Sequence, residues 1–536
     1  MASPTRLRAK RSMTFAEATS PAGRRREKGG RRGRPYTGYV SRLIARLAAP
    51  EFERLRAAFM DPAWSPGVAR DFRDHIVQSL SGILLPHLRD QAMLWRHVGR
   101  GGGQGGSLPA ASGPAENDVA TLAYMETEGW AALFEHLPLL QSAVIAVIGR
   151  EVAAAERLAA DFRNDLPLLS ESFFAGGRMS RVGGVRPGLS DPHLGRRSVC
   201  ALRFTSGHRL IYKPRPVAME SGLAGIAAWL AAQGAPHAPR VPRVLDGGDH
   251  GWMEFIPMRS CRTAAGVRRF YERLGALAGL LACLGAVDCH ADNFIAHGDW
   301  PVLIDSETLF HPRLAASPDF TLLETEIFQR TLVTPTGQTI VYGGFDADYA
   351  DLGARMPGNS QGAAGHPPIN LPRLAGASMP QAAHAAETRA GISAMAGWLG
   401  RHATAFLADG GPVRAMTGGK ARVVLRPTGM YAAVLGASLQ ATALSDRSRR
   451  DAVFAQLRRH DDRALAPDVW RLVHEVETAS LAGLDIPYFL LDLESGDLLD
   501  GIRSIAPRAF APVSARIEQG FEAALRSCAN AGGPVG

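Results

Sequence analysis

The spacing of apolar residues changes near residue 196, and this change limits the chain to folds that combine helices with strands. From Tyr39 to about Trp95, and again over 119–160, apolar residues recur roughly every three to five positions, as in helices. After residue 196, two pairs of short apolar runs flank Gly-containing turns and predict β-hairpins, ALRF-TSGH-RLIYKP and NFIA-HGDW-PVLID. The pattern therefore predicts an α+β fold, rich in helix again after residue 313.

The length of the chain predicts more than one structural unit. It has 536 residues, whereas a typical domain has ~100–200. Residues 1–35 are rich in Arg, Gly, Pro and Ser, so we expect a disordered basic tail. Residues 36–165 are expected to form a helical region, which contains a Gly-rich linker at 99–118. The remainder, 166–536, is expected to form one further domain of mixed helices and strands.

The net charge of +9 does not describe the body of the chain. Residues 1–34 carry eleven basic and two acidic side chains, so the rest is electrically balanced. A nucleic-acid function is therefore not expected outside the tail. No apolar run is long enough to span a membrane, and no secretory signal is recognisable. The five cysteines are scattered without a CxxC pair, which favours the reducing cytoplasm.

One polar loop carries the pattern that most strongly indicates chemistry. An apolar helix over residues 267–286 leads into Asp288, and Asn293 follows five positions later. Asp305 lies twelve positions further on, at the end of an apolar strand. Kinases use this Asp-to-Asn spacing to orient the attacking hydroxyl and to hold Mg²⁺ on the phosphates. His290 lies between them, in the D-x-H-x-x-N order of lipid kinases; the alternative is a polar loop held by Asx turns.

Lys213 is the second element of this pattern. The chain has only four lysines, and Lys213 lies on an apolar strand beside Ile211. A lysine on such a strand suits a phosphate clamp, as in kinases. Because Pro214 follows at once, the alternative is a lysine that extends to solvent from a strand end. Arg215 could assist Lys213 or pair with a surface acid.

With these motifs, the sequence resembles the dehydratase domain of class II (LanM-type) lanthipeptide synthetases. The resemblance runs from about residue 145 to the C-terminus. It rests on seven ordered motifs: SDPHLGR at 190–196, LIYKPR at 210–215, GWMEFI at 251–256, DCHADN at 288–293, LIDSETLF at 303–310, RVVLRPT at 422–428 and LDIPYF at 484–489.

The resemblance implies a lipid-kinase-like fold and an ATP- and Mg²⁺-dependent reaction. A Ser or Thr of a precursor peptide would be phosphorylated, and phosphate elimination would then leave dehydroalanine or dehydrobutyrine. The implied catalytic residues are Asp191, His193, Asp288, His290, Arg422 and Thr428, with Arg422 and Thr428 serving elimination. The implied nucleotide-binding residues are Lys213, Arg215 and Glu254, and the implied metal ligands are Asn293, Asp305 and Glu307.

Two other functions remain open on the sequence. One is a peptide kinase that stops at the phosphopeptide, and the other is a degenerate module that only binds a leader peptide. The chain lacks the family's zinc cyclase domain, so we expect no ring closure by this chain alone. The expected partners are a precursor peptide and, in some systems, a separate cyclase.

Overall fold

The computed structural model confirms the α+β class. It describes residues 35–99, 123–177, 179–314, 322–328, 330–333, 339–342, 344–345, 370–460, 465–501 and 503–532. The predicted tail therefore lies outside the described residues, except for residue 35, which begins a helix. Residues 100–118 of the predicted Gly-rich linker also lie outside. The domain boundary placed at 165/166 stays a prediction.

Helices form the N-terminal part of the molecule. They are α1 (Pro35–Leu47), α2 (Ala49–Ala58), α3 (Val68–Gly99), α4 (Trp130–His136) and α5 (Pro138–Phe174). By length and composition, α5 could cross a membrane. One side of α5, however, is buried against the other N-terminal helices and the first sheet, in a core that includes Val147, Phe162 and Phe204.

The first sheet is antiparallel and has five strands in the order β1-β2-β3-β5-β4. Its strands are β1 (Val182–Arg186), β2 (Cys200–Phe204), β3 (Arg209–Lys213), β4 (Val244–Asp246) and β5 (Gly251–Glu254). Strands β2 and β3 confirm the first predicted hairpin. Helix α6 (Ala218–Ala232) lies between β3 and β4 in the sequence. Lys213 pairs with Gly251 in the register, at the end of β3.

The second predicted hairpin is also confirmed, and it follows a buried helix. Helix α7 (Ala264–Cys283) leads through the polar loop into β6 (Phe294–His297) and β7 (Trp300–Leu303). All residues of α7 from Leu274 onward are buried, because this helix is apolar on every side near its end. The helix and hairpin therefore fix the polar loop between two rigid elements.

Residues after 313 contain a second sheet that the sequence analysis did not predict. Short hairpins β8–β9 (Arg330–Val333, Thr339–Tyr342) and β10–β11 (Arg373–Leu374, Ala377–Ser378) come first, followed by helix α8 (Ala385–Leu407). The second sheet is antiparallel and comprises β12 (Lys420–Val423), β13 (Phe489–Asp492), β14 (Leu498–Asp500) and β15 (Arg503–Ala506). The intervening and last helices are α9 (Thr428–Ser438), α10 (Ala441–Leu444), α11 (Arg447–Phe454), α12 (Pro467–Ala482) and α13 (Val513–Gly532).

Helices α7 and α8 cross with their backbones in direct contact. A Cβ atom on Gly391 would lie 1.8 Å from the carbonyl oxygen of Glu272. A Cβ atom on Gly275 would lie 1.9 Å from the carbonyl oxygen of Thr388. Both distances are far below van der Waals contact, so only glycine fits at this crossing. Since α7 leads into the polar loop, the crossing also fixes the position of that loop.

We expect Gly391→Ala to destabilise the protein by about 1–3 kcal/mol, because the methyl group forces the two helices apart. The matched control is Gly397→Ala on the same helix, where the nearest atom to an added Cβ is the flexible end of Arg401 at 3.6 Å. Alanine is the better helix former, so this control should not lower stability. Thermal unfolding of both variants measures the difference, and equal midpoints would contradict the close crossing.

Candidate active site

A cavity of about 880 Å³ lies between the first sheet, the β6–β7 hairpin and the start of the second sheet. Eleven of the twelve residues singled out in the sequence line it. They are Asp191, His193, Lys213, Arg215, Asp288, His290, Asn293, Asp305, Glu307, Arg422 and Thr428. They come from segments more than 230 positions apart, so the fold and not sequence proximity assembles the site.

The Lys213 ammonium group is buried in a polar pocket on the wall of this cavity. Its Nζ donates hydrogen bonds to Glu220 Oε1 at 2.9 Å and to the carbonyl oxygen of Ile304 at 2.8 Å. The same nitrogen lies 3.3 Å from Asp305 Oδ1. A buried ammonium needs such partners, because removal from water is costly. Lys213 is therefore held beside Asp305 and does not extend to solvent.

Arg215 contacts three carboxylates, two of which also contact Lys213. Its Nη2 donates to Glu220 Oε1 at 2.7 Å and to Asp305 Oδ1 at 2.6 Å, and its Nε lies 2.7 Å from Glu307 Oε2. Burial by itself would raise the pKa of Asp305, but Arg215, Lys213 and Arg422 together lower it far below the usual carboxyl range. Asp305 is therefore ionised at any physiological pH.

The polar loop presents Asp288 in an unusual backbone conformation. Asp288 has a φ of 56°, in the left-handed region that few residues other than Gly, Asn and Asp adopt. The amide Nδ2 of Asn293 donates to the carbonyl oxygen of Asp288 at 2.7 Å and holds this conformation. His290 Nε2 lies 3.4 Å from Asp288 Oδ1. Strain maintained by specific contacts is common at active sites.

Asn293 and Asp305 each have a side-chain oxygen that suits a magnesium ion, whereas both oxygens of Glu307 have protein partners. The backbone amide of Ile304 donates to the carbonyl oxygen of Asn293 at 2.9 Å, which brings the Asn293 and Asp305 segments together. Within the described residues, Asn293 Oδ1 and Asp305 Oδ2 accept no hydrogen bond, and Mg²⁺ prefers such oxygen ligands. Both oxygens of Glu307 are already taken by Arg215, Arg422 and Tyr488. The predicted metal role of Glu307 stays a prediction; in this structure its carboxylate contacts two arginines and a tyrosine.

Glu307 contacts both Arg215 and Arg422. Arg422, on β12, donates from Nη1 to Glu307 Oε1 at 2.5 Å, and its backbone amide donates to the Glu307 carbonyl at 2.7 Å. The Tyr488 hydroxyl donates to Glu307 Oε2 at 2.9 Å, and the Arg422 guanidinium lies 5.3 Å from the centre of the Tyr488 ring. Arg215 and Arg422 thus share one carboxylate, and both guanidinium groups border the cavity.

His193 is held in one tautomer at the cavity wall. Its Nδ1 lies 2.8 Å from the carbonyl oxygen of Ile486, and because a carbonyl only accepts, Nδ1 must carry the proton. Nε2 is then the unprotonated nitrogen. Burial, followed by the charge of Arg422, lowers the pKa of His193 to about 3. His193 is consequently a neutral hydrogen-bond acceptor in the ligand-free protein.

Two comparisons with known proteins bear on this site. Residues 137–342 and 353–492 match the family described as a domain of unknown function, DUF4135. This match covers more than half of the chain. The chain belongs to the DUF4135 family. All eleven cavity residues singled out above lie within the matched ranges of the DUF4135 domain.

A second comparison concerns one curated relative of this DUF4135 protein. The lacticin 481/lactococcin biosynthesis protein LcnDR2 from Lactococcus lactis subsp. lactis is 25% identical over 115 residues. The aligned segment covers 20% of this chain and 12% of LcnDR2. The similarity is therefore confined to a small part of that longer protein.

Glu254 is the one predicted site residue that the DUF4135 fold leaves outside the cavity. It ends β5, where Oε1 lies 3.5 Å from Arg240 Nη2 and Oε2 accepts from the backbone amide of Arg243 at 3.2 Å. The carboxylate beside Lys213 is instead Glu220, in the first turn of α6. The sequence signal for Glu220 was a single acidic residue at the start of an otherwise apolar helix, seven positions after Lys213. The nucleotide-binding role implied for Glu254 therefore stays a prediction, and Glu220 is the carboxylate that pairs with Lys213.

His311 also lines the cavity, and it should make the stability of the protein depend on pH. Its Nε2 accepts the backbone amide of Val424 at 3.0 Å, and burial lowers its pKa to about 4. The unfolded chain takes up this proton near pH 6.5, so acid favours unfolding between pH 6.5 and about 4. The free energy of unfolding therefore falls with decreasing pH over this range. We expect His311→Gln, which keeps a hydrogen-bond acceptor, to reduce the slope of that free energy against pH by up to about 1.4 kcal/mol per pH unit.

Urea unfolding at several pH values measures that slope, with the exposed His208→Gln as the control. The control should leave the slope as in the unmodified protein. An unchanged slope in His311→Gln would contradict the placement of a neutral imidazole against Val424.

Proposed function

We propose that this protein dehydrates Ser and Thr residues of a ribosomally made precursor peptide, with ATP, in two steps. The motifs shared with LanM-type dehydratase domains and the similarity to a lacticin biosynthesis protein support this assignment. The arrangement of Lys213 at the end of a β-hairpin and of Glu220 on the next helix supports a lipid-kinase-like architecture. Buried free thiols at all five cysteines support a cytoplasmic location.

The first step would be phosphoryl transfer to the peptide hydroxyl. Asp288 accepts the hydroxyl proton as the oxygen bonds to the γ-phosphorus, and the bond to the β-phosphate oxygen breaks to release ADP. Lys213 and Arg215 carry the positive charges that favour phosphate binding at this wall. Mg²⁺, when held by Asn293 and Asp305, supplies additional positive charge to the phosphates. His290 lies close enough to Asp288 to orient its carboxylate.

The second step would be elimination of the phosphate. A base removes the α-proton of the phosphorylated residue, the electron pair forms the Cα–Cβ double bond, and the Cβ–O bond breaks. Arg422 and the Thr428 hydroxyl stabilise the departing phosphate. His193 Nε2 is the base that the geometry favours. Burial, and after it the charge of Arg422, lowers the pKa of His193 and keeps this nitrogen unprotonated.

One observation carries this proposal: the two sets of residues share one cavity and one carboxylate. Glu307 accepts from Arg215 on the phosphorylation side and lies 2.5 Å from Arg422 on the elimination side. A phosphopeptide formed beside Asp305 could then be eliminated without leaving the protein. Arg422 is held in the same cavity by Glu307 and Tyr488, and its presence there favours the two-step reaction over a kinase that stops at the phosphopeptide.

Mass spectrometry of a candidate precursor peptide tests the proposal. The peptide, encoded beside the gene, is incubated with the full chain, ATP and Mg²⁺. Loss of one water per modified residue supports dehydration, whereas an added phosphate that persists favours the kinase. An unmodified peptide that nevertheless binds the protein favours the leader-binding module. Retention of both half-reactions by a variant lacking Lys213 would contradict the site assignment.

A further inference from the structure

The turn that carries His193 has a rare backbone conformation. Leu194, Gly195 and Arg196 have φ values of 50°, 89° and 68°, so three successive residues are left-handed. Such conformations are unfavourable for residues other than glycine and persist only where neighbouring contacts enforce them. The turn is closed by reciprocal backbone hydrogen bonds between His193 and Arg197, both 2.9 Å.

A buried carboxylate holds this turn. Asp485 Oδ2 accepts the backbone amide of Gly195 at 2.7 Å, and Oδ1 accepts that of Arg196 at 2.8 Å. Adjacent amides in a left-handed turn point into one concave site, which suits an anionic oxygen pair. Asp485 is buried, and loss of its oxygens would leave two backbone amides without these partners.

The residue after Asp485 contacts the histidine itself. The Ile486 carbonyl oxygen accepts a hydrogen bond from His193 Nδ1–H. The Ile486 amide donates to the carbonyl oxygen of Pro192 at 3.0 Å. The Asp485–Ile486 segment therefore binds the turn through backbone, side chain and imidazole contacts together. A shift of this segment would alter both the orientation and the tautomer of His193.

The Arg196 side chain forms hydrogen bonds between the same turn and the N-terminal helices. Its Nη1 donates to the Leu484 carbonyl at 2.7 Å, and its Nη2 donates to Glu151 Oε1 at 2.8 Å and to Ser79 Oγ at 3.2 Å. Glu151 lies on α5 and Ser79 on α3. The turn is thus held between the helical region and the segment that precedes β13.

We propose that Asp485 is a positioning residue, which keeps the left-handed 193–197 turn in place so that His193 presents an unprotonated Nε2 to the cavity. The part of this proposal that concerns catalysis rests on the proposed elimination step. The geometric part concerns only the tautomer of one histidine, and it can be measured without any substrate.

The experiment uses Asp485→Asn in the full chain, labelled with ¹⁵N-histidine. In the unmodified protein, NMR should show His193 as a single Nδ1-protonated tautomer, identified by the signal that His193→Gln lacks. In Asp485→Asn one oxygen becomes an NH₂ group, which donates and cannot accept the backbone N–H that it faces. We therefore expect the turn to move and the His193 signal to shift toward mixed tautomers. Elimination from a synthetic phosphopeptide should slow by about tenfold to 10²-fold in kcat with little change in KM.

Asp492→Asn is the matched control. Asp492 also accepts two backbone amides, from Glu494 at 3.1 Å and Ser495 at 3.0 Å, but in the β13–β14 turn and away from the cavity lining. It should leave the His193 signal unchanged. If Asp485→Asn does not fold, Asp485→Glu serves instead, because it keeps the charge but displaces the two oxygens from the Gly195 and Arg196 amides by one methylene group.

An unchanged His193 signal in the folded Asp485→Asn variant, or in Asp485→Glu where that variant replaces it, would overturn the proposal. A shifted tautomer with an unchanged elimination rate would overturn its catalytic part. If the unmodified protein acts on no peptide, the proposed function fails, while the NMR comparison still decides the positioning role.

Discussion

Asp305→Asn should abolish peptide phosphorylation, with a fall in rate of at least about 10³-fold. The substitution keeps the shape of the side chain but removes the charge that faces Lys213 and Arg215 at 3.3 Å and 2.6 Å. It also replaces an oxygen that suits Mg²⁺ with an amide nitrogen that does not. The rate of phosphate incorporation into the precursor peptide, at saturating ATP and Mg²⁺, measures the effect.

Asp299→Asn is the control for this prediction. Asp299 lies at the turn of the same β6–β7 hairpin and pairs with Arg269 at 2.9 Å and Arg273 at 3.0 Å, but it does not line the cavity. It should retain phosphorylation. Thermal unfolding of both variants separates lost chemistry from lost folding. Phosphorylation by folded Asp305→Asn at the rate of the unmodified protein would refute the assignment of Asp305.

Thr428→Ala should let phosphopeptide accumulate, because elimination slows by about 10²- to 10³-fold while phosphorylation continues. Thr428 is the first residue of α9 and borders the cavity. Its hydroxyl makes no hydrogen bond within the described residues, so truncation should not disturb the fold. The experiment starts from a synthetic phosphopeptide, so that elimination is measured without the first step.

Thr428→Ser keeps the hydroxyl and is the matched control, which should eliminate phosphate at close to the unmodified rate. Tracking the mass of the peptide over time gives both rates. Dehydration by Thr428→Ala as fast as by Thr428→Ser would show that the hydroxyl has no part in elimination.

The candidate site was largely predictable because most of its chemistry lies in short motifs. The spacing of Asp288, Asn293 and Asp305 placed three side chains around one hairpin, and the register of β6 and β7 confirms that hairpin. The lysine on an apolar strand was predicted in the same way, since alternation fixes which side chains share a face. Arg422 and Thr428 were predicted only from the family resemblance.

The sequence did not reveal the surroundings of three carboxylates, two in or beside the site and one outside it. Glu220 and Glu254 are both single acids beside apolar segments, and only packing shows that Glu220 meets Lys213. The metal role of Glu307 was implied only by the family resemblance. The sequence did not reveal that its two oxygens contact two arginines and a tyrosine that lie far away in the sequence.

By itself the sequence determined the α+β class, the two hairpins and the polar side chains of the loop before β6, because these follow from local periodicity and short-range spacing. Only the tertiary structure decided which charges face one another, which carboxylate joins Arg215 to Arg422, and why the turn of His193 is left-handed. Those features depend on contacts between segments separated by up to about 290 positions, such as Asp485 with Gly195. Such contacts leave no periodic trace in a single chain, since each residue's environment is fixed by packing and not by its neighbours in sequence.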